Sequence, residues 1–151
     1  MTETENEKNK NVVEAIKERI FEKGMISIQA PVPNIGEFHK VKATVTGDLK
    51  EVIRTVLQEI QKEYEVWDQE VWETGLKQIR KEFDDLRKLY ELSTGLNSML
   101  DKANADVNWL LYWTPFLGRG LESGRQSMAK SVAEITLLTA ACSVIDTMLK
   151  D

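Results

Sequence analysis

The sequence predicts a mainly α-helical bundle of four to five helices with one small β-hairpin after the first helix, or α+β if the hairpin is counted as a layer. Three observations carry this expectation. Apolar residues recur at steps of three and four along residues 53–71, 76–90 and 128–149, the pattern of helix faces. The stretch Phe38 to Thr46 instead alternates with period two, as a half-buried strand does. The chain's 151 residues are 42% hydrophobic and 30% charged, which suits one globular domain better than a disordered chain. Residues 1–10 are polar with mixed charge and are expected to form a disordered tail, with one domain over 11–151.

Val12, Val13, Ile16, Ile20 and Phe21 fall at helical spacing, which predicts a first helix over about 11–23 with Gly24 as its C-cap. Met25 to Ala30 is short and rich in isoleucine. Pro31, Pro33, Asn34 and Gly36 then mark a loop. In the following strand Val41, Ala43 and Val45 share one face, and Lys40, Lys42 and Thr44 the other. The two segments predict a hairpin over about 25–46. A two-stranded ribbon is marginal alone, so it must rest on helices or on another chain.

Asp48 is an N-cap residue type at the head of a long helical pattern. Ile53, Leu57, Ile60, Tyr64, Trp67 and Val71 form a heptad-like seam, which resumes after Gly75 as Leu76, Ile79, Phe83, Leu86 and Tyr90. A continuous helix over 48–92 would be roughly 65 Å long, more than a compact domain of this size accommodates. It must therefore break near Gly75 or project. Ser93-Thr94-Gly95 is expected to turn the chain. Leu96, Leu100, Ala103, Val107, Leu110 and Thr114 make the next seam. A last helix is expected to begin between Pro115 and Ser127, with Met128, Ile135, Leu138, Cys142, Ile145 and Leu149 as its seam. It is so apolar that burial between other helices is expected.

Composition narrows the function classes. The net charge is −5. Phosphate binding draws its affinity from basic excess, so duplex nucleic acid is an unfavoured partner. The N-terminus lacks the apolar core of a signal peptide, and the most apolar run, Ile135 to Ile145, is bracketed by Glu134 and Asp146. With a single cysteine as well, a cytoplasmic location without membrane insertion is expected. The one histidine, His39, is expected on the polar face of the hairpin, and nothing nearby completes a hydrolytic constellation. Cys142 lies on an apolar helical stripe and is expected to be buried and inert. Glu59, Glu63, Glu65, Asp68, Glu70 and Glu73 crowd one stretch, but the Glu-x-x-His spacing of helical di-metal sites is missing. No catalytic residue, metal ligand or cofactor is assigned, and the expected function is non-enzymatic.

Two neighbouring segments stand out as candidate binding elements. Trp109 to Leu117 is the most aromatic-apolar run, with Trp109, Trp113 and Phe116 as anchors for a core or an interface. Gly118 to Arg125 follows with three glycines, Arg119 and Arg125; exposed amides and guanidinium forks of this kind attract anions. The leading expectation is a helical interaction protein, a homo-oligomer with a protein partner as a further option. One alternative is single-stranded nucleic-acid binding through Trp109, Trp113, Arg119, Arg125, Lys40 and Lys42. The other is an anion- or phosphate-ligand protein or enzyme using the 118–125 loop.

Overall fold

The computed structural model describes residues 3–34, 37–105 and 108–150, with side chains described over 7–34, 37–38, 40–96, 99 and 125–150. The fold is mainly α: four helices pack as a bundle, with a two-stranded antiparallel hairpin after the first. The order is α1 (Glu3–Met25), β1 (Ile28–Gln29), a 3-10 turn (Phe38–Lys40), β2 (Thr44–Val45), α2 (Leu49–Glu63), α3 (Gln69–Ala105) and α4 (Asn108–Lys150).

One core joins all four helices. Ile16 and Ile20 of α1, Ile53, Leu57 and Ile60 of α2, Leu76, Ile79 and Phe83 of α3, and Leu137, Leu138, Ala141 and Ile145 of α4 are essentially sealed from solvent. Phe21 meets the Phe83 ring edge-on at a centroid distance of 5.8 Å. The most extensive interface is between α3 and α4. Paired charges bind the bundle at its rim. Arg80 of α3 donates from Nε and Nη2 to both carboxylate oxygens of Asp146 on α4, at 2.9 and 3.3 Å. Arg19 of α1 makes the same two-point contact with Glu63 of α2, at 2.6 and 2.9 Å.

Several boundaries differ from the sequence expectation, each for a physical reason. Helix α1 starts at Glu3, taking in most of the expected tail. That segment contains no Gly or Pro to interrupt the helical pattern that follows it. The hairpin shrinks to two residue pairs, Ile28 with Val45 and Gln29 with Thr44. Phe38 is drawn into the interior and forces a tight turn over 38–40, which ends the expected strand before it begins. Of the face expected to be buried, Val41 and Ala43 are half-buried and Val45 is exposed.

The long 48–92 pattern does break, but at Tyr64–Asp68 and not at Gly75. The end of α2 is a Schellman motif. The Val66 amide donates to the Gln61 carbonyl at 2.9 Å and the Glu65 amide to the Lys62 carbonyl at 3.2 Å, with Glu65 left-handed at φ +52°. The Gln61 amide returns to the Val66 carbonyl. Asp68 then caps α3, accepting from the amides of Glu70 and Val71 at 3.0 and 3.3 Å. The break resets the helical phase, so Trp67, expected on the seam, is 75% exposed, and Trp72, off it, is buried. Gly75 sits inside α3 where α1 crosses closely, and a Cβ there would meet Val13 at 3.7 Å.

Ser93-Thr94-Gly95 is helical, not a turn, and α3 runs on to Ala105. Helix α4 likewise starts at Asn108 and passes through Pro115, Gly118, Gly120 and Gly124. The expected 118–125 loop is therefore helical backbone. Helix propensity is a weak prior that context overrides, and strong apolar helical patterns flank this stretch on both sides.

Candidate interaction surfaces

The outer face of α3 changes chemistry along its length. Gln78, Lys81 and Asp85 lie one helical step apart on the side away from the core and are exposed. The same stripe continues as Leu89, Leu92, Leu96 and Met99, which are 63%, 64%, 58% and 69% exposed. Their steps of three, four and three keep all four on one narrow face, the spacing of a two-helix seam. Single exposed leucines are ordinary on a protein surface, whereas these four align as one continuous apolar stripe. The core-facing residues of the same helix, Phe83, Leu86 and Tyr90, follow their own seam into the bundle.

A second concave surface lies between the first halves of α1 and α3. This groove of about 760 Å³ has a floor of Val12, Val13, Ile16, Val66 and Trp72. Lys10, Glu14, Glu70, Gln78 and Glu82 edge it. Lys17 reaches Glu14 at 2.8 Å and Glu82 at 3.0 Å across one end. The hydrogen bond that Lys17 donates to Glu14 holds the Glu14 carboxyl below its usual range, and its bonds to Glu14 and then Glu82 raise the Lys17 ammonium.

The residues nominated from sequence are distributed differently. Arg125 lies on α4, half-buried, and its Nε donates to the Pro33 carbonyl of the proline loop. The side chains of Trp109, Trp113, Phe116 and Arg119 lie outside the described residues, as does that of His39. Lys40 is exposed and contacts Glu37 at 3.6 Å, and Lys42 is exposed on the loop before β2. Cys142 is buried; burial pushes its thiol pKa up, and its Sγ lies 3.8 Å from the Arg80 carbonyl. The seams at Ile53, Leu57 and Ile60 and at Leu138, Cys142 and Ile145 close on one another within a single chain. They therefore give no argument for a second copy, which corrects the basis of the sequence expectation.

One polar contact inside the α3–α4 interface was not anticipated. Glu134 is buried on α4 with one carboxylate oxygen lacking a hydrogen bond, and Lys130 stands 4.0 Å from the other. Tyr90 of α3 hydrogen-bonds to Glu134, which together with burial pushes the phenol up to about 12. The segment Arg125–Lys150 is long and apolar enough by composition to cross a membrane, with an 18-residue window of mean hydropathy 1.6. Its Leu137, Leu138, Ala141 and Ile145 are packed into the core.

The groove and Trp67 were missed because the heptad reading carried straight through residues 64–68. The available clue was Asp68, an N-cap residue type two positions before Glu70 in a new first turn. No protein-family model matches the chain, and no curated protein or solved structure shows significant similarity to it.

Proposed function

We propose that this chain is a non-enzymatic helical interaction protein that self-associates through the outer face of α3. The observation that carries the reading is the aligned exposure of Leu89, Leu92, Leu96 and Met99 directly after a polar stretch of the same stripe. A second copy of the same helix is the occupant that this spacing suits. Leucines repeating at three and four interlock with an identical seam, and burying each removes apolar surface worth roughly 25 cal/mol per Å². The polar residues that precede the stripe limit the contact to the distal part of the helix.

Cysteine cross-linking tests this reading. With Cys142→Ala as background, Leu92→Cys should give a covalent dimer with a short bis-maleimide, and Lys81→Cys, on the polar part of the stripe, should not. Equal yields at both positions would contradict it.

A further inference from the structure

The α1–α3 groove shares Gln78 with the polar start of the α3 stripe but stops short of its leucines, and the chain segment that supplies Val66, Glu70, Val71 and Trp72 to one wall is acidic. Residues 63–76 carry Glu63, Glu65, Asp68, Glu70 and Glu73 and no lysine or arginine. Arg19 engages Glu63, and Asp68 is committed to capping α3. Glu65, Glu70 and Glu73 enter no ion pair among the described residues, Glu73 accepting only from Gln69. Lys10 is the cation of this rim that makes no ion pair among the described residues.

Trp67 lies between Glu65 and Asp68 in the chain, directly after the groove-lining Val66, and is 75% exposed. It is held on both sides: the Schellman motif fixes Val66, which is buried in the groove floor, and the Asp68 cap fixes the next residue. An indole presented on a fixed backbone loses little freedom on binding, and its face attracts lysine and arginine. The apolar floor begins at Val66, next to this acidic lip, and continues through Val71, Trp72, Val12 and Val13.

We propose that the groove and the Trp67 lip together bind a basic amphipathic peptide segment of a partner protein. Its apolar side chains lie on Val12, Val13, Val71 and Trp72, and its lysines or arginines meet Trp67, Glu65 and Glu70. The juxtaposition selects this chemistry. An acidic segment would be repelled at the lip, and a purely cationic chain would leave the apolar floor unused.

Selection of random dodecapeptides displayed on phage against the intact chain tests the proposal, followed by fluorescence anisotropy with the most enriched peptide. Enriched sequences should combine lysine or arginine with at least two large apolar residues. Glu65→Lys with Glu70→Lys should weaken binding at least tenfold, and Trp67→Ala about threefold or more. Lys10→Glu should tighten it, a gain that general damage to the fold would not give. All these side chains lie at the surface, and thermal melting checks that each variant stays folded. The proposal is overturned if no peptide is enriched, if enriched peptides lack basic residues, or if the charge reversals leave affinity unchanged. It is equally overturned if octalysine competes as well as the selected peptide, since charge alone would then account for binding.

Discussion

Gly24, at the end of α1, lies directly against Leu137 in the middle of α4: a Cβ built on Gly24 would overlap Leu137 Cδ1. The contact sets how closely the two helices approach. Leu137 is fully buried, so it has little room to retreat. Gly24→Ala should therefore destabilise the fold by about 1–3 kcal/mol, the usual range for overpacking. Adding Leu137→Ala should make the alanine at position 24 nearly neutral relative to Leu137→Ala alone. Denaturant midpoints for the four proteins of this cycle measure the coupling. Additive effects would show that the contact does not limit the packing.

Glu65 holds the left-handed position of the Schellman motif between α2 and α3, at φ +52°. A side chain there strains against its own backbone by roughly 1–2 kcal/mol, a strain that glycine lacks. Glu65→Gly should raise the melting temperature by about 2–4 °C, as a gain near 1 kcal/mol does in a chain of this size. Glu65→Val should lower it, because a β-branched residue fits this conformation worst. An unchanged melting temperature in both variants would contradict the strained geometry.

Arg125 ties the proline loop to α4 through the Pro33 carbonyl. Hydrogen bonds from charged donors contribute roughly 1.5–3 kcal/mol when part-buried. Arg125→Ala should lower thermal stability measurably and speed amide exchange at Val32 and Asn34. Thermal scans and hydrogen exchange together check this. If stability is untouched, the arginine acts outward and not as a loop tie.

Asp84 is held down at about 2, from its usual 3.8, by hydrogen bonds from Arg87 and then Lys88. Because its folded pKa is depressed, the stabilisation is complete above about pH 4 and is lost as pH falls through about 2. All partners are accessible to solvent, so added salt should shrink the effect. Asp84→Asn should flatten the acid limb of the stability curve between pH 4 and 2 while changing little of its shape above pH 5. Urea midpoints against pH show the difference. Parallel acid limbs would mean that the Asp84 pairs contribute nothing.

The helical class, the hairpin's place after α1, and the seams at Ile53 to Ile60, Leu76 to Tyr90 and Leu138 to Ile145 were legible because burial imposes the helical period on sequence, whereas Ile135, expected on the last seam, is half-buried and Leu137 takes the core position. The 64–68 break was not legible, because Tyr64, Trp67 and Val71 happen to continue the heptad and neither Gly nor Pro marks the turn. The Asp48 cap was read correctly, since its Oδ1 accepts from the Glu51 amide at 3.1 Å. Of the surface stripe, only Leu96 stood on an expected seam, and the expected turn at 93–95 separated it from Leu89 and Leu92. Leu96 has core spacing, but periodicity alone does not say whether an apolar face meets the bundle or solvent. Arg125 looked like a ligand-facing arginine because its partner, Pro33, is distant in sequence.

Self-association through α3 is tested most directly by light-scattering mass coupled to gel filtration, on the native chain and on Leu92→Asp with Leu96→Asp. Both leucines are exposed, so the charges should leave the fold and its melting temperature intact. The native chain should elute at about twice the 17.3 kDa chain mass or more at micromolar concentration, and the double variant at 17.3 kDa. A native chain that stays at 17.3 kDa up to about 100 µM, well above the ~1 µM scale of a modest protein contact, would contradict the account.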